Sequence, residues 1–542
     1  MKGKKEQKAY NMKKFTTAII FFLAVIAPLV IVTVALREPK ADHTMLEKLR
    51  EQYPTKHKSG VDHSKMEILQ KDFTNPHEIT AACLSCHTER GIELLHSAHF
   101  TWEREAYIPG RGITYLGKKN LLNNYCTGVQ SNEGSCMKCH AGYGWDDKSF
   151  DFTNPFSIDC IICHDNTGTY AKASGGGGYP VMGEGGPDFK AILGSVGLPK
   201  SENCGSCHFT GGGGNNVKHG DLELALLKAG RNVDVHMGVD GAHMNCVDCH
   251  SAENHVMKGR YYGVSSTNDQ RLNCEDCHTA FPHQKTILNE HSIKVACQTC
   301  HIPVYAKVNA TKMYWDWSTA TRKKDGKGYE VEDSLGNVTY ASIKGDFIWQ
   351  KNVTPEYTWF NGTADHHLIT DKVDTTQAFL KINTLFGEYR DRNSKIIPMK
   401  VHRGKQPYDT ENLTIIQTKL WDKEKGKGAL WLDLEWERAI IEGMAYVNMP
   451  YSGKHDFIPT EMYMPINHMV SVSSEAVSCK ECHTREDGRL ATLTDFYMPG
   501  RDRNELLDLG GKLLLIMSFI GIVIHSAIRI TASRKRKLAK QL

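Results

Sequence analysis

Eight copies of the sequence Cys-x-x-Cys-His account for all but one of the 17 cysteines in this 542-residue chain. In such a motif both thiols attach a c-type haem, and the histidine becomes the proximal ligand of its iron. One isolated Cys-x-x-Cys would also suit a zinc site or a redox disulfide, but eight copies each followed by His favour haem c throughout. The motifs are Cys83/Cys86/His87, Cys136/Cys139/His140, Cys160/Cys163/His164, Cys204/Cys207/His208, Cys246/Cys249/His250, Cys274/Cys277/His278, Cys297/Cys300/His301 and Cys479/Cys482/His483.

The remaining cysteine, Cys126, lies ten residues before Cys136 of the second motif. A lone cysteine is usually a small buried hydrophobic residue. The alternative is a thiol that takes part in thiol–disulfide exchange. The sequence leaves both interpretations open.

Histidines outside the motifs are numerous enough to supply second axial ligands, since 26 are present and eight belong to motifs. His96 and His99 share a helical face, so we expect only one of them to bind iron. His43, His57 and His63 precede the first motif and are expected to be solvated. The predicted distal ligands are His99, His219, His236, His243, His255, His291 and, eleven residues before the last motif, His468.

The charge balance predicts no nucleic-acid partner. The formal net charge is +4, but this count omits the haem propionates, which make the loaded protein more acidic.

Two apolar runs predict membrane anchoring. Residues 15–36 follow a lysine-rich segment, 1–14, and are long enough to span a bilayer; they lack a good cleavage site, which favours an uncleaved anchor. A second span is predicted at 511–532, before a basic tail, 533–542. The positive flanks put both termini in the cytoplasm, and the bulk of the chain on the periplasmic side of the cytoplasmic membrane. His525 lies in the second span, where it is either structural or faces a cofactor of a partner.

The exported part divides by motif spacing. A linker at 37–76 precedes a heptahaem region at 77–301, and a haem-free packing region at 302–478 precedes the eighth haem region at 479–510. We predict a mainly α fold with many irregular loops, organised by packed haems. Within the haem-free region the sequence predicts helices over 374–390 and 429–447, and a hairpin around Gly336.

Seven clustered motifs, a long haem-free stretch and a lone eighth motif resemble the octahaem tetrathionate reductase family. Segments 83–87, 158–170 and 211–222 and the lone cysteine also resemble it, and the likeness covers about residues 77–500. The resemblance implies a catalytic second haem with His140 as proximal ligand, Lys218 as distal ligand and Cys126 nearby. It also implies a calcium ion beside the active site, for which Asp147 and Asp151 are candidate ligands, although no calcium loop is recognisable.

Without this resemblance, Lys218 would be interpreted as a surface lysine. A lysine binds iron only as a neutral amine, which requires burial or a strong metal effect on its pKa.

The resulting hypothesis is a membrane-anchored periplasmic octahaem reductase of anaerobic respiration. It would transfer electrons from a quinol-linked or cytochrome donor to tetrathionate, or to nitrite and hydroxylamine, at the Lys218 haem. There are two alternatives. One is hydroxylamine oxidation, in which electrons flow in the reverse direction. The other is an electron conduit with no substrate of its own.

Overall fold

A computed structural model describes residues 60–259 and 266–538, together with Phe22 and Ile26. The chain divides into two compact units, Met1–Tyr53 and Pro54–Leu542. All elements given below belong to the second unit. Apart from those two residues, the predicted segments 1–14 and 15–36 lie outside the described residues, as do 37–59 of the linker and 539–542 of the tail.

Helices in the motif-bearing region are short, and most of them contain part of a Cys-x-x-Cys-His motif. The first begins at Pro76, where the Asn75 side chain accepts a hydrogen bond from the His77 amide and caps the helix. The helices are α1 (Pro76–Leu84), α2 (Arg90–Leu95), α3 (Glu133–Cys136), α4 (Ile161–His164), α5 (Phe189–Ser195), α6 (Ser201–His208), α7 (Cys246–Cys249), α8 (Thr286–His291) and α9 (Cys297–His301). Two hairpins also lie here, formed by β1 (Glu103–Ile108) with β2 (Gly112–Gly117) and by β3 (Ala252–Glu253) with β4 (Val256–Met257).

The region after the seventh motif is dominated by strands. They are β5 (Thr311–Asp316), β6 (Glu330–Glu332), β7 (Val338–Ala341), β8 (Gly345–Gln350), β9 (Glu356–Phe360), β10 (Ala364–His366), β11 (Leu380–Lys381), β12 (Asn383–Leu385), β13 (Lys395–Asp409), β14 (Thr414–Ile415) and β15 (His455–Pro465). Nine of them form one sheet in the order β11-β15-β13-β5-β8-β7-β6, with β9 and β14 also paired to β13. The 15-residue β13 runs antiparallel to β15 and parallel to β5, so the sheet is mixed.

The prediction of a mainly α fold was therefore wrong. The described structure is 28% helix and 18% strand, and its largest element is the mixed sheet. The predicted helix over 374–390 contains β11 and β12 instead, because Leu380 and Ile382 are buried while their neighbours Phe379 and Lys381 are exposed. Alternation of this kind is the period of a strand.

Two other local predictions in this region are confirmed. β6 and β7 form the antiparallel hairpin around Gly336. The segment 429–447 is helical as α10 (Leu430–Asp433) and α11 (Trp436–Tyr446). α12 (Cys479–Cys482) carries the last motif.

One face of the sheet packs on the chain around Cys126 and Lys218. A single buried cluster contains Trp315 and Met464 of the sheet together with Tyr125 and Val217, the immediate neighbours of those two residues. The sheet therefore fixes the backbone on which the predicted reactive side chains stand.

A long apolar helix, α13 (Glu505–Leu538), ends the described chain. An 18-residue window of its segment Glu505–Arg536 has a mean hydropathy of 2.2 with none of that window buried, and the helix contains the predicted 511–532 span. By length and composition this helix could serve as a membrane anchor.

Candidate functional site

Six motif histidines each face a second histidine at nearly the same separation. Metal–imidazole bonds of about 2 Å on either side of an iron place the two ring centroids about 6 Å apart. The observed centroid separations are 6.3 Å for His63–His87, 6.2 Å for His99–His208, 6.1 Å for His236–His278, 6.2 Å for His250–His468, 6.0 Å for His283–His301 and 6.0 Å for His291–His483. These separations fit a haem iron between the rings of each pair.

Many of these rings are also held by their Nδ1 atoms, which leaves Nε2 available to a metal. His250 and His483 direct Nδ1 to the backbone carbonyls of Lys258 and Pro499, at 2.9 and 2.7 Å. In His291, the partner of His483, Nδ1 lies 2.6 Å from the Ile287 carbonyl. Such contacts fix the tautomer and the orientation of a ligating imidazole.

His164 of the third motif is held in the same way, with Nδ1 2.7 Å from the Gly197 carbonyl. Its electrostatic neighbours include His255, whose Nδ1 lies 2.9 Å from Glu93 Oε2. His255 acts on His164 together with His87 and His63, which face each other at the first site, so His255 is the candidate partner of His164.

The structure brings four predicted distal histidines into the six pairs, namely His99, His236, His291 and His468. The predicted residues His219 and His243 belong to none of those pairs. His219 is buried beside Lys218 and His208, and this burial holds its pKa well below the ordinary value.

Sequence reasoning missed two members of the pairs. His63 was expected to be solvated in the linker, and His283 was not among the predicted distal ligands. Neither has a local signal that marks it, because a distal ligand is brought to its iron by tertiary structure.

His140 of the second motif has a different environment. Within the described residues its ring contacts are four aromatic side chains, Phe100, Trp145, Phe150 and Phe152, at centroid separations of 4.9, 4.7, 5.6 and 6.2 Å. Unlike the rings held by Nδ1, His140 has its Nε2 2.8 Å from the Phe100 carbonyl, and its Nδ1 is buried without a partner, so haem binding through Nε2 requires that this hydrogen bond be replaced. Burial lowers the pKa of His140 to about 3, so the imidazole is neutral, as a metal ligand must be.

Lys218 lies near the second motif, since Cys139 acts on it electrostatically. Its backbone carbonyl accepts hydrogen bonds from Tyr125 Oη and Lys400 Nζ, each at 3.0 Å. Its ammonium is coupled electrostatically to Cys139 of the second motif. Burial, followed by the charge of Lys118, lowers the pKa of Lys218 to about 8. A neutral amine is therefore accessible near physiological pH.

Cys126 stands close to the same motif, since its thiol interacts with Cys136. The thiol donates to the Gly128 carbonyl at 2.9 Å, and burial raises the pKa of Cys126. Lys344 is the cation that opposes this shift. The thiol is thus protonated at neutral pH but has a nearby charge that favours its thiolate.

Positive charge around the second motif extends to residues that the sequence did not mark. The exposed Lys118 acts electrostatically on Cys136, Cys139 and His140, so it lies near the edge of the second haem site. Together with Lys344 it adds positive charge beside the second motif, which favours an anion there.

Cysteines of neighbouring motifs lie against one another, which gives the order of the haem sites, numbered here by motif. Side-chain contacts join site 1 to 3, site 2 to 4, site 4 to 5 and site 6 to 7, through Cys83–Cys160, Cys139–Cys207, Cys204–Cys246 and Cys274–Cys297. Electrostatic contacts join site 3 to 4, site 5 to 6 and site 7 to 8, through Cys163–Cys204, Cys249–Cys277 and Cys300–Cys482. The eight sites form one connected series with site 2 attached to site 4.

Cys86 of the first motif departs from this arrangement. Most motif cysteines are partly buried, but Cys86 is exposed, as are Cys277 and Cys479. The contact from site 1 to site 3 uses Cys83, whereas the Cys86 sulfur lies 3.8 Å from the hydroxyl of the adjacent Ser85. The physical reason is that α1 ends at Leu84, and Cys86 stands on the exposed turn beyond it. Cys86 shares this exposure with Cys277 and Cys479, and the exposure is consistent with haem attachment through the motif.

The calcium candidates are occupied by local hydrogen bonds. Asp147 and Asp151 each accept from the amide and hydroxyl two residues ahead, on Ser149 and Thr153. Across the described residues, no group of three or more His, Cys, Asp or Glu side chains is arranged to hold a metal ion. Calcium stays a prediction.

Known proteins show clear similarity to this chain. The family model described as "Cytochrome c bacterial" matches residues 312–486. The crystal structure of octaheme cytochrome c from Shewanella oneidensis is 40% identical with a TM-score of 0.74, and the match covers 82% of this chain and 98% of that one. A protein of Archaeoglobus fulgidus, described as uncharacterized, is 25% identical over 244 residues, which are 36% of this chain and 80% of that relative.

Proposed function

The chain belongs to the octahaem c-type cytochrome family, and from this premise we propose that it is a reductase whose substrate reacts at the second haem site. Covalently bound haem c at the Cys-x-x-Cys-His motifs follows from family membership, which also indicates multihaem electron transfer or reductase activity. The substrate, the reactive site and the axial ligands are the content of the proposal.

Seven sites are proposed to be bis-histidine. These are the six facing pairs and His164 with His255. A site with two rigid imidazoles has no position for substrate, so these seven carry electrons.

The observation that carries the proposal is Lys218 beside the second motif. The ring contacts of His140 are aromatic rather than imidazole, and the nearby amine has a pKa lowered to about 8 by burial. A neutral amine binds iron but exchanges more readily than an imidazole held by a second hydrogen bond. We assign Lys218 as the exchangeable distal ligand and His140 as the proximal one.

An anion is the kind of substrate that this pocket favours. When bound, the haem supplies electrons; Lys218 yields its position, and Lys118 and Lys344 attract negative charge. Tetrathionate fits this chemistry because two electrons cleave its central S–S bond and release two thiosulfates. The interaction of Cys126 with Cys136 supports a role for this thiol in thiol–disulfide exchange with the same bond. Nitrite and hydroxylamine remain candidate substrates of the same site.

The surroundings of the enzyme are part of the proposal. α13 would anchor it in the cytoplasmic membrane with the haem-bearing part in the periplasm, where a quinol-linked or cytochrome donor reduces it. The segments 77–301, 302–478 and 479–510 are proposed as heptahaem region, haem-free region and eighth haem region.

The test is an assay of the purified holoprotein with a reduced viologen as donor. We expect viologen oxidation that depends on tetrathionate, nitrite or hydroxylamine, with sulfate as the inert control anion. The connected series of sites also supports a conduit with no substrate of its own. Viologen oxidation by none of the three, together with a second haem that shows two histidine ligands, would establish the conduit instead.

A further inference from the structure

Two of the distal histidines form hydrogen bonds from Nδ1 to carboxylates, whereas His236 Nδ1 lies 3.9 Å from Asp234 Oδ1, beyond hydrogen-bond distance. His468 donates from Nδ1 to Asp221 Oδ2 at 3.1 Å, and that oxygen also accepts from the amides of Asn467 and His468. His255 donates from Nδ1 to Glu93 Oε2 at 2.9 Å. These residues serve site 5 and site 3.

Other rings of the proposed pairs have neutral partners at Nδ1. His291 has the Ile287 carbonyl, His283 has the Asn289 side-chain oxygen at 3.2 Å, and His483 has the Pro499 carbonyl. Site 8 therefore has a neutral partner behind both of its histidines, and it provides an internal reference.

The partner at Nδ1 affects the iron. An imidazole that donates to a carboxylate becomes more basic at Nε2, and the more basic ligand stabilises the oxidised iron relative to the reduced one. A carboxylate behind the ring thus lowers the reduction potential of its haem.

Sites 3 and 5 both adjoin site 4. Cys204 of site 4 contacts Cys246 of site 5 and lies near Cys163 of site 3. Cys207 of site 4 contacts Cys139 of site 2. Site 4 is thus flanked by the two carboxylate-backed sites and touches the proposed reactive one.

We propose that Asp221 and Glu93 are positioning residues that hold haems 5 and 3 at lower reduction potentials than haem 4. Among the described residues, the charges that act on His99 and His208 of site 4 are lysines and other histidines and include no carboxylate. Electrons that enter along the series then collect on haem 4, the neighbour of the second haem. The inference rests on the axial pairs given under the proposed function, and it does not depend on which substrate is reduced.

The two carboxylates differ in strength. Asp221 is nearly fully buried, with 3% of its side chain exposed. Glu93 is 17% exposed and shares its oxygens with Arg90 Nη1 at 2.6 and 2.7 Å. Because the arginine partly neutralises Glu93, we expect Asp221 to have the larger effect.

The experiment is a redox titration of the holoprotein, followed by absorbance and by electron paramagnetic resonance, on Asp221→Asn and Glu93→Gln. Each variant should raise the midpoint potential of one haem and leave the midpoint potentials of the other seven unchanged. The increase should be larger for Asp221→Asn. The control is Glu89→Gln, which removes an exposed charge one helical turn from Glu93 and should shift nothing.

Unchanged or lowered potentials in both variants would overturn the inference. Asp221 also caps two backbone amides, so its substitution can impair folding; Glu93→Gln on helix α2, where the Glu93 side chain bonds to no backbone amide of the described residues, then decides the question alone. The redox titration contains no substrate. Absence of turnover in the viologen assay would therefore contradict the proposed function and leave the measured potentials unaffected.

Discussion

The side chain of Lys218 differs from an imidazole in two ways that matter for a reactive haem. Its amine competes with a proton for the same lone pair, and its flexible stem lets it leave without moving the backbone. The backbone itself is fixed, because Tyr125 and Lys400 both bond to the Lys218 carbonyl. A mobile ligand on a fixed support is suited to exchange with substrate.

Replacing Lys218 by histidine should close the site. We expect Lys218→His to abolish substrate reduction while the other seven haems still reduce and reoxidise, as measured by viologen assay and absorbance. Lys218→Ala should leave a position open to water, with altered rather than uniformly lost activity. Full turnover and an unchanged spectrum in Lys218→His would make Lys218 an ordinary buried lysine.

A substitution of Cys126 can distinguish the reduction of a sulfur substrate from the reduction of a nitrogen substrate. Cys126→Ser should impair tetrathionate reduction more than nitrite reduction, because only the S–S bond can exchange with a thiol. Burial raises the pKa of this thiol, so the reactive thiolate increases as pH rises. Tetrathionate turnover should therefore increase from neutral to alkaline pH in the parent protein, and equal losses on both substrates in Cys126→Ser would contradict thiol chemistry.

Strand β13 fixes the position of the Lys218 backbone. Lys400 on this strand donates to the carbonyls of Val217 and Lys218, at 2.9 and 3.0 Å, and to Thr311 Oγ1 at 2.7 Å. Lys400, Val217 and Thr311 are fully buried, so the sheet and the pocket are joined by bonds that water cannot replace.

Lys400→Met should leave buried carbonyls without a donor. We expect a loss of stability of about 1–3 kcal/mol for each unsatisfied group and a changed spectrum of the second haem, measured by thermal unfolding and absorbance. Lys405→Met on the same strand removes a half-exposed lysine that pairs with Asp316 at 3.4 Å, and it should have little effect on either measurement. Equal effects of the two variants would mean that the strand, not this contact, supports the pocket.

The sheet was not foreseeable from local pattern, whereas the haem motifs were. β13 is buried on both sides, so its sequence lacks the alternation of a half-buried strand, and it carries Pro398, Pro407 and the buried Lys400. Proline inside a run normally argues against a central strand. The motifs needed no tertiary information because two thiols and a histidine lie within five residues.

The helix α13 makes a prediction about topology. Its apolar segment is followed by Arg534, Lys535 and Arg536, and positive charge marks the cytoplasmic side of a span. A reporter protein that is active only in the cytoplasm should therefore be active when it is fused after Leu542. Export of the fused reporter would contradict this orientation and the supply of electrons from the membrane.

Over the whole molecule, the axial pairs join parts of the chain that are distant in sequence. His468 follows the haem-free sheet yet faces His250, and His291 faces His483 of the last motif. Counting histidines could predict that partners exist, but which partner belongs to which motif is decided by how the sheet and the short helices fold around the haems. His63 and His283 were missed for this reason.

The relative orientation of the paired rings predicts a magnetic signature of the whole array. Three proposed pairs have rings nearly parallel, with interplanar angles of 13° for His283–His301 and 28° for both His63–His87 and His250–His468. Three others are steeply crossed, at 66°, 77° and 81°. Parallel imidazoles split the iron d orbitals that bond to them, whereas crossed imidazoles leave those orbitals nearly equal in energy.

The oxidised protein should therefore show two classes of low-spin signal by electron paramagnetic resonance. Parallel pairs give rhombic spectra and crossed pairs give spectra with one very large g value. The second haem, with a lysine on one side, should give a further signal that disappears in Lys218→His while the other signals stay. Eight signals of the bis-histidine types in the parent protein would contradict lysine ligation, and a single class throughout would contradict the ring geometry on which the axial pairs rest.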